Sequence, residues 1–139
     1  MKVTLGPYPE GNEPRQEEIQ IDPWDSWNAD TTLAKVAYPL LVQLRATKKG
    51  YVLVDPSDAP EVPEAVPDES WKSNVTEQHW DFVLDEIIWA MKEISEGKPG
   101  EDVFYDTIQG LDLEGIQKYQ ARLQNGCRLF GKYFQNLWD

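Results

Sequence analysis

The amino-acid sequence predicts a mainly α-helical fold: a core of three helices, preceded by an extended N-terminal segment that can form a small β-element. Three stretches place apolar residues at the three-and-four spacing of a buried helix face, which predicts the three helices. The length of 139 residues fits one domain, 1–139, and leaves no room for a second.

The N-terminal segment, residues 1–25, carries four prolines among polar residues. Two short runs, Lys2–Leu5 and Glu18–Ile21, alternate in polarity and could pair as edge strands. We therefore predict an extended arm or a small β-element here. Residues Asp22–Asn28 have the composition of a turn and helix cap, so a helix should begin just after them.

Helix one is predicted from about Asp30 to Lys49. Its expected buried face comprises Leu33, Val36, Ala37, Leu40, Leu41 and Leu44. Pro39 falls inside this pattern and should kink the helix, because proline has no N–H to donate to the preceding turn. After the helix, Tyr51–Val54 is short and β-prone, and it could close a small sheet with the N-terminal runs.

The stretch 55–69 holds four prolines and six acids, with no base and no aromatic residue. This composition predicts an exposed acidic loop. Such a loop usually serves as a solvated connector, and less often as a docking strip for a basic partner.

Helix two is predicted to begin near Asn74 or Thr76 and to end at Gly97. Its expected face comprises Trp80, Val83, Leu84, Ile87, Ile88, Met91 and Ile94. Phe82 and Trp89 widen the apolar surface beyond half of the circumference. We therefore expect the central helix of the fold, or a helix with a partner chain on one side.

Helix three is predicted from about Asp112 to Leu137. Apolar residues at intervals of seven favour near-antiparallel packing on another helix: Ile116, Leu123, Phe130 and Leu137. Gly115, Gly126 and Gly131 each cost about 1 kcal/mol inside a helix. We expect a close approach of another backbone, or a bend, to compensate for them.

The charge and the single cysteine narrow the classes of partner and compartment. Twenty-five acids against 13 bases give a net charge of −12, which disfavours a nucleic-acid polymer or an anionic membrane as the partner. Cys127 alone forms no internal disulfide and predicts a reducing compartment. The sequence also lacks the apolar run of a secretion signal and the roughly 20 apolar residues of a membrane span.

The sequence predicts no metal, no cofactor and no catalytic residue, and hence a protein that is not an enzyme. His79 is the only histidine and no Glu-x-x-His spacing occurs, so we read it as a partly exposed residue of the helix start. Phosphate-binding loops and nucleophile elbows are absent. Cys127 is predicted to lie in the core.

Three carboxylates, those of Asp81, Asp85 and Glu86, flank the apolar face of helix two. They could perform acid–base chemistry if burial separated their pKa values. The simpler expectation is that they are solvated or pair with bases of helix three.

A set of aromatic and basic residues on helices two and three forms the candidate binding site: Trp89, Tyr119, Arg122, Arg128, Lys132 and Tyr133. Such side chains could stack on and clamp a small nucleotide. The alternative is that the aromatic rings belong to the core and that the basic side chains only run along its surface.

Several stretches together resemble a group of small acidic proteins encoded by tailed bacteriophages. The stretches are Ile21–Trp27, Thr32–Ala34, Pro39–Leu40, Trp80–Ala90, Asn125–Phe134 and Leu137–Asp139. They cover roughly half of the chain. The resemblance implies a viral origin and expression in the cytoplasm of a bacterial host, but it implies no activity and no site.

The sequence thus leads to a non-enzymatic phage protein that binds and neutralises a host defence or regulatory factor. It would sequester either a host protein or a small nucleotide signal. The alternative is a structural or assembly component of the virion. The apolar width of helix two and the heptad run of helix three also lead us to expect a homo-oligomer.

Overall fold

The computed structural model describes residues 1–63, 74–105 and 110–139. In these ranges it has two strands and three long helices: β1 Lys2–Leu5, β2 Glu17–Gln20, α1 Ala29–Thr47, α2 Asn74–Ser95 and α3 Leu113–Lys132. The mainly α-helical class and the three-helix core are therefore confirmed. No helix in the described ranges is long and apolar enough to cross a membrane.

The central helix is α2, which packs against α1 on one side and α3 on the other. Near the end of α1, Arg45 lies 3.3 Å from Asp81 near the start of α2. Near the start of α3, the Tyr119 hydroxyl donates to Glu93 near the end of α2, at 2.6 Å. Both outer helices therefore run antiparallel to α2, as the heptad spacing of α3 predicts.

Apolar side chains of α2 form most of the core. Val83, Leu84 and Ile87 have no exposed surface, and Leu129 of α3 is equally buried in the same core cluster. Burying one such side chain contributes about 1.5–3 kcal/mol, so this contact holds α3 on α2.

The two helices pack closely at Gly126. A Cβ atom added there would overlap Ala90 of α2 and would lie 2.9 Å from the carbonyl oxygen of Glu86. The expectation that a helix glycine permits close packing is thus confirmed for Gly126. It does not hold for Gly131, where a Cβ atom would meet open space.

The helix α1 continues through Pro39 as one helix, but its predicted buried face is only half covered. Ala34 and Leu41 are buried, whereas Leu33 and Leu40 are 68% and 67% exposed. The spacing predicts the apolar stripe correctly. It does not predict how much of that stripe the neighbouring helix covers.

The N-terminal strands pair antiparallel, with Val3 opposite Ile19, and form a two-stranded ribbon that we call the N-terminal ribbon. The predicted β-element is therefore confirmed. Residues 51–54 form no strand, which corrects the expectation of a third one.

The predicted loop 55–69 lies partly outside the described residues, from position 64 onward. Its described part is not simply exposed, because a short 3-10 turn at Pro56–Asp58 places Asp58 and Ala59 against the helices, 4% and 0% exposed. This corrects the expectation of a fully solvated loop.

Candidate binding surface

The six predicted site residues fall into two groups, each built around a carboxylate of the chain itself. In the first group, the Arg122 guanidinium carbon lies 4.0 Å from the centre of the Trp89 ring. The Tyr119 ring meets the edge of Trp89 with their centres 5.6 Å apart. Arg122 also donates two hydrogen bonds to Glu86, at 2.8 and 3.1 Å. The cation is thus held by a ring and a carboxylate together.

The second group surrounds Asp58. Its carboxylate accepts hydrogen bonds from Arg128 at 2.7 Å, from Lys132 at 2.5 Å and from the Tyr133 hydroxyl at 2.7 Å. Burial acts to raise the pKa of Asp58, but these three donors outweigh it and lower the pKa to about 2. We call this group the Asp58 cluster. It ties the 55–63 segment to α3.

An open cleft of about 500 Å³ lies beside these groups, and its lining includes Glu61, Glu86, Arg122 and Asn125. Two carboxylates there face one guanidinium, and that guanidinium is already paired with Glu86. An incoming phosphate would meet two like charges and would have to displace an intramolecular partner. The cleft is therefore poorly suited to an anionic ligand.

The three carboxylates of helix two are also paired. Glu86 pairs with Arg122 of α3, as expected. Asp85 pairs at 2.9 Å with Arg45 of α1, and Asp81 pairs at 2.8 Å with Lys48 just after α1. The partners of Asp81 and Asp85 come from the α1 side, not from helix three as predicted. Both carboxylates are held as ion pairs: the Asp85 side chain is 58% exposed, whereas the Lys48 side chain that faces Asp81 is only 5% exposed.

Two other residues differ from their predicted settings. His79 is buried, and its Nε2 atom lies 3.1 Å from the carbonyl oxygen of Pro63. Cys127 is a free, exposed thiol, not a core residue. Partial burial nevertheless raises the pKa of this thiol. In the described part of the chain, no three His, Cys, Asp or Glu side chains come together in a way that could hold a metal ion.

In the described part of the chain, a groove between α1 and α3, floored by α2, has a large uncovered apolar surface; we call it the α1–α3 groove. Its main apolar lining is Leu33, Val36, Leu40, Met91, Phe130 and Phe134. This part has a volume of about 520 Å³, and an adjoining hollow of about 360 Å³ extends it towards Leu44 and Leu137. Cys127 lies in one wall, and Asp30 is the charged residue at the edge.

Three of the large side chains that line this groove are mostly exposed. Leu33, Leu40 and Phe134 are 68%, 67% and 60% exposed. Single exposed apolar residues are common, but a contiguous patch of this kind marks an interaction surface. Sequence reasoning missed it, because the same helical spacing describes a covered face and an uncovered one.

The N-terminal ribbon has a second uncovered apolar surface. Its register places Val3, Leu5 and Ile19 on one face together with Glu17, and Met1 and Ile21 continue that face beyond the strands. All five apolar side chains are exposed, with Ile19 at 59% and Ile21 at 62%. The opposite face is polar and is stabilised by an ion pair between Lys2 and Glu18.

Two tryptophans stand between the ribbon and α1. Trp24 and Trp27 pack edge to face with ring centres 4.5 Å apart, and they remain 66% and 75% exposed. Asp22 and Asp25 cap the turn that carries them through reciprocal hydrogen bonds. Exposed tryptophans are typical of binding surfaces, since one ring buries a large area on contact.

Comparison with known proteins finds no protein-family model, no curated protein and no solved structure that matches the chain.

Proposed function

We propose that the chain is a phage-encoded binding protein without catalytic activity. It neutralises a host defence or regulatory protein by sequestering it in the bacterial cytoplasm. The phage origin rests on the resemblance of the sequence motifs. The binding role rests on the surface of the molecule.

The observation that carries this proposal is the α1–α3 groove. A stable fold gains free energy from every apolar side chain that it covers, at about 25 cal/mol per Å². A groove that leaves Leu33, Leu40 and Phe134 mostly exposed forgoes that stabilisation. Such a surface is accounted for by a partner that covers it.

The chemistry of the groove and of the whole chain indicates what the partner presents. The groove takes an apolar segment, such as one face of an amphipathic helix. The net charge of −12 favours a partner with bases flanking that segment, because opposite charges raise the rate of association. The partner of this proposal is therefore a host protein with an apolar ridge bordered by lysine or arginine.

A host protein is favoured over a nucleotide signal because the bases of the predicted clamp are engaged. Arg122 is paired with Glu86, while Arg128 and Lys132 are paired with Asp58. A nucleotide phosphate would have to compete with each carboxylate at short range.

The test is affinity capture from infected cells with the wild type and two matched variants of α1. Leu40→Glu places a charge in the groove, whereas Val42→Glu places the same charge on an exposed α1 residue that does not line it. We expect one host protein to be retained by the wild type and by Val42→Glu, and lost with Leu40→Glu. Binding of the purified host protein should weaken as salt is raised.

Equal capture by all three proteins would contradict the groove as the binding site. A thermal shift with cyclic or ADP-ribose-type nucleotides that disappears with Arg122→Ala would favour the nucleotide version instead.

The second candidate is a structural or assembly component of the virion. The observation in its favour is that the groove and the ribbon both leave apolar side chains uncovered in the described part of the chain, as a subunit of an assembly does. Mass spectrometry of purified particles separates the two functions. A fixed, high copy number in the particle would favour the virion role, and absence would favour sequestration.

A further inference from the structure

Three donors at the end of α3 converge on the carboxylate of Asp58. Arg128 and Lys132 are four residues apart, so they lie on the same side of the helix. Arg128 donates to one carboxylate oxygen at 2.7 Å, and Lys132 donates to the other at 2.5 Å. The hydroxyl of Tyr133, a residue that is 5% exposed, adds a hydrogen bond of 2.7 Å to that second oxygen. This is the geometry of a site for a planar anion with two oxygens.

Two of the three donors are positioned by contacts that do not involve Asp58. The Arg128 guanidinium donates twice to the Oδ1 atom of Asn125, at 3.0 and 2.8 Å. The Tyr133 hydroxyl accepts a hydrogen bond from the backbone N–H of Asp55 at 3.2 Å. Both donors should therefore keep their places when the Asp58 carboxylate is removed, which is the property of a preorganised site.

The carboxylate itself reaches this site from a distant part of the chain. Asp58 ends the short turn Pro56–Asp58, and it lies 70 positions before Arg128. The neighbouring Ala59 is fully buried and holds the turn beside the helices. The site is thus filled by a ligand that the chain supplies on a tether, and the tether gives this carboxylate an effective concentration that is on the order of millimolar or higher.

We propose that Arg128, Lys132 and Tyr133 form a binding site for a small monocarboxylate, and that Asp58 is its autoinhibitory ligand. A free carboxylate has the same charge and the same two oxygens, so it competes with Asp58 for the three donors. Asp55 has a carboxylate oxygen 3.6 Å from Lys132 and disfavours a ligand with two negative charges. The described lining of the α1–α3 groove contains none of these donors, so this inference is independent of the proposed function.

The test opens the site by removing the internal ligand. Asp58→Ala deletes the carboxylate and leaves space for formate, which is the same group without its tether. For a dissociation constant of about 10 mM, we expect about 100 mM sodium formate to raise the Tm of Asp58→Ala by about 4 °C over the same concentration of sodium chloride. The wild type should shift by less than about 1 °C, because its own carboxylate fills the site. Scanning calorimetry measures both, and no shift in Asp58→Ala would overturn the inference.

Two matched variants separate the site from a general effect of the salt. Asp58→Asn removes the charge but keeps the space filled, so formate should stabilise it no more than it stabilises the wild type. Glu86→Ala deletes the partner of Arg122, a single half-exposed cation, and should also respond no more than the wild type. An equal shift in all four proteins would indicate an adventitious ion only and would contradict the proposed site.

The donors are tested in the Asp58→Ala background. Adding Lys132→Met removes one of the two cations of the site and should abolish most of the formate shift. Adding Lys118→Met removes a cation that pairs with Glu114 on the exposed surface of α3, and it should preserve the shift. A shift that survives Lys132→Met would place the bound anion elsewhere and would refute the assignment.

Two further measurements check the class of ligand and the folding of the variant. Inorganic phosphate at the same ionic strength should raise the Tm of Asp58→Ala less than formate does, because Asp55 opposes a second negative charge. A larger shift with phosphate would contradict a monocarboxylate site. If Asp58→Ala is unfolded at room temperature, formate should restore its helical circular-dichroism signal, and a signal that stays lost would overturn the inference.

Discussion

The Asp58 cluster and the α1–α3 groove differ in whether their side chains have partners within the chain. At the Asp58 cluster, Arg128, Lys132 and Tyr133 converge on one buried carboxylate, so each polar group has a partner within the chain. In the groove, large apolar side chains lie open with no described element over them. The polar groups of the cluster are paired within the chain, whereas the proposed function requires a partner to cover the groove.

This difference favours the groove, and not the charged residues, as the candidate binding surface. Basic and aromatic residues at close spacing suggest a ligand clamp in the sequence, but charge pairs within the chain satisfy them. The unsatisfied surface is apolar and lies on α1, the helix that the sequence suggests is ordinary core. Substitutions in the two regions should therefore separate stability from binding.

The largest expected effect concerns the contact that joins α2 to the cluster-bearing helix α3. Gly126→Leu should lower the free energy of unfolding by about 3 kcal/mol, because its side chain would overlap Ala90. Gly131→Ala, in the same helix but facing open space, should be neutral or stabilising by up to about 1 kcal/mol. Urea denaturation measures both. An unchanged midpoint for Gly126→Leu would mean that the helices are not in close contact there.

The next effect tests the cluster itself. Asp58→Asn should lower the free energy of unfolding by about 2 kcal/mol, since it leaves Arg128 and Lys132 without their carboxylate. Glu61→Gln removes an exposed carboxylate from the same segment and should change stability by less than about 0.5 kcal/mol. Equal midpoints for the two variants in urea would show that the cluster contributes nothing.

The pH dependence of that difference follows from the pKa of Asp58. The pKa is about 2 in the folded protein and about 3.9 in the unfolded chain, so the folded state favours the carboxylate. The contribution is therefore complete above pH 4 to 5, and it is lost as pH falls towards 2. Unfolding of the wild type and Asp58→Asn should converge over that window, and a gap that persists at pH 2 would contradict the assignment.

The smallest effect on stability belongs to the groove. Leu40→Glu should change the free energy of unfolding by less than about 0.5 kcal/mol when measured at low protein concentration, because the side chain is 67% exposed. Leu129→Ala, fully buried, should cost about 3 kcal/mol by contrast. If Leu40→Glu were as destabilising as Leu129→Ala, the groove would be part of the core and not a binding surface.

Helical periodicity was sufficient to predict the helices, but it was insufficient to predict which of their apolar faces are covered. It placed both ends of α2 and the start of α3 within two residues, because caps and glycines act locally. It extended α3 to Leu137, whereas the helix ends at Lys132. It misjudged α1, since a stripe that carries Leu33 and Leu40 looks the same whether or not another helix covers it.

The predicted site residues could not be judged from spacing either. Asp58 lies 70 positions before Arg128, and only the fold brings the two together. A local pattern reveals which charges are present, but not which charge neutralises which. That information depends on tertiary contacts between distant segments.

The pair of Trp24 and Trp27, between the ribbon and α1, is an intrinsic spectroscopic probe. Two indoles 4.5 Å apart and steeply inclined couple their electronic transitions, which produces a paired circular-dichroism band that depends on their mutual angle. Because both rings are largely in water, their emission should shift to the blue when a neighbouring surface covers them. Coverage of this turn by a partner can therefore be tested in unlabelled protein, with Trp24→Phe and Trp27→Phe to assign the signal.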